Sequence, residues 1–157
     1  MPQSSKPRKA YRPRGVNPQA HLTGMMGAAW LHIDDRTVWS LQLDEAITAV
    51  AKGTASQAKW SRIFAAIALL EELARAGKVK DPDGIAAQAE QTCVAILDRY
   101  GKRTRAVRAQ ELSDLRVMYQ AWSAAISSIT QAEKFQAEER IARRLELGQA
   151  TVLPLIA

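Results

Sequence analysis

The sequence predicts an all-α protein: a bundle of four to five mostly antiparallel helices with short loops, preceded by a flexible basic arm. Three observations carry this. From Asp34 to about Leu147 apolar residues recur at helical spacing, and no alternating strand pattern competes with them. Along that stretch stop signals stand next to start signals, which is how short antiparallel hairpins are written. Before it, residues 1–20 hold four of the six prolines, and proline fixes φ and removes a backbone donor, so this stretch cannot form a regular helix.

The elements follow in order. Residues 1–20 read as an extended or disordered arm, and residues 21–33 as an apolar connecting segment. In that segment Met25, Met26, Trp30, Leu31 and Ile33 suit either a short helix or a strap across the body. Asp34 or Asp35 is expected to cap the first helix, placing a carboxylate at its positive end. Trp39, Leu43, Ile47 and Val50 then share one face, and Gly53 ends the helix. Thr54-Ala55-Ser56-Gln57 reads as a capping box opening the second helix. That helix carries Trp60, Ile63, Phe64, Ile67, Leu70 and Leu73 to a stop at Gly77.

Asp81-Pro82-Asp83-Gly84 is a turn and helix start. The third helix follows with Ile85, Ala89, Cys93, Ile96, Leu97 and Tyr100, and Gly101 stops it. Leu112, Leu115, Tyr119, Trp122, Ile126 and Ile129 form a seam at steps of three and four in the fourth helix. The seam fails after Ile129, where Thr130-Gln131-Ala132-Glu133 is another capping box, so a break near Ser127–Thr130 and a fifth helix are expected. The fifth helix has a thinner apolar side: Phe135, Ile141, Ala142 and Leu145. Residues 34–147 thus form the bundle, and residues 148–157 an apolar tail without helical period.

Charge is unevenly placed. The chain is 157 residues long with net charge +6, yet five of its 22 Lys and Arg lie in the first fourteen residues and no acid occurs before Asp34. The rest is nearly neutral. Lys6, Arg8, Lys9, Arg12 and Arg14 alternate with proline and Tyr11. This composition suits phosphate contact by the cations and base stacking by the tyrosine, so DNA or RNA is one expected partner. A second basic run, Arg99, Lys102, Arg103, Arg105 and Arg108, spans a helix end and the connection after it. Its cations relax the helix dipole, or join the arm in one binding surface.

The remaining chemistry-bearing residues argue against catalysis. His21 and His32 have no Cys, Asp or Glu at metal-ligand spacing, so no metal and no cofactor are expected. Cys93 lies on the apolar stripe of its helix and reads as a core thiol; a lone cysteine also excludes an internal disulfide and fits a reducing cytosol. Glu71-Glu72 and Asp34-Asp35 are adjacent pairs that diverge by about 100° on a helix, which is no acid–base couple. No phosphate-binding glycine loop or nucleophile elbow occurs. Three of the four tryptophans, Trp39, Trp60 and Trp122, fall on helical stripes and read as core anchors. No apolar run reaches membrane-span length, and the apolar stretch Gly24–Leu31 is short, late and preceded by prolines, unlike a leader.

The opening Lys6–Arg14, the hairpin around Ala51–Ala55, the run Ala66-Ile67-Ala68-Leu69-Leu70-Glu71-Glu72-Leu73-Ala74 and Glu111-Leu112 with its following helix resemble small uncharacterised helical proteins encoded by bacteriophages and prophages of proteobacteria. The resemblance implies a phage or mobile-element origin and a place in the cytoplasm of a bacterial host cell. It assigns no residue a role. The function expected from it is non-enzymatic: binding that inhibits or modulates a host protein or nucleoprotein complex, anti-CRISPR-like in type. The alternative is a nucleic-acid-binding accessory protein acting through the arm. The tail adds a further expectation: Val152, Leu153, Leu155 and Ile156 form an apolar patch that either docks on its own bundle or pairs with another copy or a partner.

Overall fold

The computed structural model describes residues 33–81, 83–101 and 106–148 of the chain. Among them are five α-helices: α1 Ile33–Ala51, α2 Gln57–Arg75, α3 Ile85–Gly101, α4 Ala109–Ser128 and α5 Gln131–Glu146. The all-α class expected from the periodicity is the class adopted. The basic arm, the connecting segment up to His32, Pro82, the stretch 102–105 and residues 149–157 lie outside the described residues.

Local chemistry explains the helix ends. Asp34 and Asp35 sit inside the first turn of α1 rather than before it, where both carboxylates still face the positive end of the dipole. Gly53 ends α1 at φ +68°, a conformation that costs a residue with a Cβ but not glycine. Its N–H bonds to Val50 O at 2.9 Å, and the next N–H, from Thr54, bonds to Ala49 O at 2.9 Å. That pair of bonds satisfies the orphan carbonyls of α1, and it spends Thr54 there. The capping box expected at Thr54 is therefore not formed; Ser56 is the N-cap of α2, with extended backbone and no side-chain cap bond. Gly77 closes α2 by the same two-bond pattern, through Ala74 O and Leu73 O.

The carboxylate of Asp81 starts α3, accepting the N–H groups of Ile85 at 2.7 Å and Ala86 at 3.3 Å. Between α4 and α5 the expected break is present. Ile129 is extended (φ −111°, ψ 156°) and turns its side chain into the core. The capping box then forms in full: Thr130 Oγ1 accepts the Glu133 N–H at 3.3 Å, and Glu133 Oε2 accepts the Thr130 N–H at 2.9 Å.

The helix α2 is the hub and packs against all four others. Trp60, Ile63, Ile67, Leu70 and Leu73 are buried along it. Neighbours run antiparallel. Arg36 at the start of α1 donates to Ser127 O at the end of α4 (3.4 Å), and Trp60 at the start of α2 meets the Tyr100 ring at the end of α3. The seam of α4 rotates slightly from expectation: Met118 and Ala125 are fully inside, while Leu112 and Tyr119 are only half-buried. A helix facing three neighbours needs a broader stripe than a two-stranded seam. Phe135 departs furthest. Its periodicity puts it on the packed side of α5, yet it is 59% exposed, and Ala137 is the residue of α5 buried in the core.

Candidate functional site

The basic run at the α3–α4 junction is partly consumed by structure. Arg99, at the end of α3, donates to Glu111 Oε2 at 2.5 Å, and the backbone N–H of Arg108 donates to the same oxygen at 2.8 Å. Burial raises the affinity of the Glu111 carboxyl for its proton, but the Arg99 and Arg108 bonds and charges outweigh it and hold the group below its ordinary value. Arg99 thus ties α3 to α4 instead of standing free for a phosphate. The side chain of Arg108 is exposed. Lys102, Arg103 and Arg105, and the arm residues Lys6, Arg8, Lys9, Tyr11, Arg12 and Arg14, lie outside the described residues.

A groove lies elsewhere on the described surface. The helices α1 and α5 both pack on α2 but hardly touch each other. Between them lies an open groove of about 470 Å³, inside the size range of ligand clefts. Its floor is the small face of α2, where Ala65, Ala66 and Ala68 stand beside Leu69. Trp39 and Leu43 of α1 line one side, Ile141, Ala142 and Leu145 of α5 the other, and Trp122 of α4 closes the depth. Trp39, expected as a core anchor, is a half-exposed groove wall instead. The alanines are the cause. A helix whose facing residues are small cannot fill the space between two neighbours that stand apart, and the larger side chains around it are left uncovered on one side.

The rim is polar: Gln42, Arg62, Lys134 and Glu138. Lys134 lies over the Trp39 ring, 4.7 Å from its centroid, bridging α1 and α5 at one end of the groove. It also pairs with Glu138. At the other end Arg62 is exposed and makes no ion pair among the described residues. The wall formed by α5 is held by the packing of Ala137 and Ile141 on the core and by ion pairs to α2 and the turn after it. Glu72 is 4% exposed and takes Arg144 at 3.4 Å and Arg140 at 3.7 Å. Lys78 reaches Glu133 at 2.7 Å, and this contact, with the Thr130 N–H behind it, lowers the pKa of the Glu133 carboxyl. Of α5 itself only Ala137 is buried.

The groove was not legible as a site in the sequence. Its signal was the Ala65-Ala66 and Ala68 cluster, which departs from the large residues of the α2 stripe. Cys93 is where it was expected, 0% exposed in the core. Burial first, and the charge of Glu90 second, push its thiol up to about 12. The folded protein should accordingly show no reaction with Ellman's reagent at pH 8, and stoichiometric reaction once unfolded in guanidinium; prompt labelling of the native protein would contradict the burial.

Among the described residues no group of three His, Cys, Asp or Glu is arranged to hold a metal, and no helix is long and apolar enough to cross a membrane. Both histidines lie outside the described residues. Comparison of the chain with protein-family models, with curated proteins and with solved structures gives no match.

Proposed function

We propose that this protein works by binding, as a phage-type modulator of a host macromolecular complex, and that the α1–α5 groove is where an apolar segment of the host protein lodges. The observation that carries the reading is the groove itself: an open apolar slot with two tryptophans, an alanine floor and cations at its rim. Tryptophan beside a desolvated pocket is the usual composition of a binding hot spot. Arg62, exposed and without an ion pair among the described residues, favours a segment with an acidic residue at that end of the groove.

Ala65→Trp tests this, because residue 65 is exposed on the groove floor and the larger side chain fills the slot without entering the core. Host lysate passed over the immobilised protein at about 0.5 M salt, where exposed charges are screened, should leave a protein on wild type and not on the variant. That protein, once purified, should bind wild type with one-to-one stoichiometry and bind the variant at least about tenfold more weakly. Equal binding to both would remove the groove from the function.

The arm supports a second reading, nucleic-acid binding. If Lys6, Arg8, Lys9, Arg12 and Arg14 each neutralise a phosphate, log K should fall against log salt with a slope of about −4.5. The same lysate experiment separates the two readings, since ligands held by the arm are lost at that salt.

A further inference from the structure

We propose that the groove has a resident occupant, the chain's own residues 149–157, and that a partner must displace it; the displacement step rests on the binding reading above, the occupancy does not. Gln149-Ala150-Thr151-Val152-Leu153-Pro154-Leu155-Ile156-Ala157 carries no charged side chain and four large aliphatic ones. Such a segment matches a slot walled by Trp39, Trp122 and Ile141. Pro154 interrupts helical hydrogen bonding, which favours an extended chain of the slim cross-section a groove accepts.

Connectivity selects this segment over the other apolar one. The α5 wall ends at Glu146, one residue after Leu145, which lines the groove. Gly148 follows at φ +65°, and its N–H bonds back to Leu145 O at 3.1 Å. A left-handed residue at this position turns the chain back from the helix axis. It does so at the Arg62–Leu145 end of the groove, where no ion pair joins α1 to α5 among the described residues. Residues 149–157 span up to about 30 Å when extended, against about 16 Å from Lys134 to Leu145 along α5. Reach is therefore ample for a return path along the slot. The apolar residues 25–31 join the bundle at Ile33 instead, at the end that Lys134 and Trp39 bridge.

The occupancy has a functional corollary. The wall α5 is fastened partly by ion pairs, and a segment seated beside it hides the apolar surface of the slot until a competitor arrives. The protein would remain soluble with its binding surface covered, and affinity for the partner would be set against the tail's local concentration.

Two experiments on the full chain test the proposal. In the first, p-benzoylphenylalanine replaces Gln42 on the groove wall and is photolysed. The cross-linked peptide should map to residues 149–157 in a product of monomer mass. Cross-links to residues 21–32, to a second copy, or to no part of the tail would overturn the proposal. In the second, Leu153→Asp with Leu155→Asp should expel the tail and raise the fluorescence of added anilinonaphthalene sulfonate several-fold, and Ala65→Trp in the same chain should cancel the rise. A double variant as dark as wild type, or a rise that Ala65→Trp leaves intact, also overturns it. The two readings fail separately. A tail cross-link with a partner that ignores Ala65→Trp keeps the occupancy and sinks the binding reading. Loss of the partner in Ala65→Trp without a tail cross-link does the reverse.

Discussion

Replacing Trp60 with alanine should destabilise the protein by about 3–5 kcal/mol, the range for removing a large aromatic from a closed core. The side chain is 0% exposed. It meets the Tyr100 ring edge-on at 5.8 Å and the Phe64 ring at 6.4 Å, and Tyr100 in turn donates to Val50 O at 3.2 Å. One indole therefore joins the start of α2 to the ends of α1 and α3. Alanine's better helix propensity returns only about 0.5 kcal/mol. For a body of this size the melting temperature should drop by roughly 10–20 °C. Trp60→Phe should cost much less, since the indole N–H has no acceptor among the described residues and only volume is lost. A Trp60→Ala protein within about 1 kcal/mol of wild type would mean that this end of the bundle is not packed as described.

Glu111 should give the second-largest effect. Its carboxylate is nearly buried and serves two elements at once, the Arg99 side chain at 2.5 Å and the Arg108 N–H at 2.8 Å. Hydrogen bonds to a charged group contribute about 1.5–3 kcal/mol, so Glu111→Ala should cost about 2–3 kcal/mol at pH 7. Glu111→Gln, which retains an acceptor for the Arg108 N–H, should cost less.

The pH dependence has a definite sign. The folded pKa of Glu111 lies below its ordinary value of 4.5. Its contribution is thus complete above the unfolded pKa and disappears as pH falls through the folded one. Urea melts of wild type and Glu111→Gln should differ at pH 7 and converge in acid, below the ordinary carboxylate range. A gap independent of pH would assign the loss to packing and not to charge. Glu133 titrates in the same direction, held down by Lys78 and by Thr130, so acid should also loosen the α5 wall of the groove.

What the sequence determined by itself was local. Gly53, Gly77, Asp81 and the Thr130–Glu133 box mark helix ends because their effect depends on backbone atoms a few residues away. The stripes of α2 and α3 were readable for a related reason: one broad apolar face faces one core, and period alone reveals it. The error at Thr54 was also local. Thr54 suits a cap for the helix it precedes, but the termination of α1 takes its N–H.

What only the tertiary structure decided was where the helices part. Trp39 and Phe135 satisfy the same periodicity as Trp60, yet one walls a groove and the other faces solvent. Periodicity assigns a residue to a side of its own helix and says nothing of whether a neighbour covers that side. Coverage depends on α1 and α5 standing apart across the alanines of α2, and on ion pairs such as Glu72 with Arg144, whose partners are far apart in the chain. The role of Arg99 was hidden in the same way. Its charge was plain in the sequence, but the carboxylate that claims it, Glu111, lies on the next helix and is brought to it only when α3 and α4 pack.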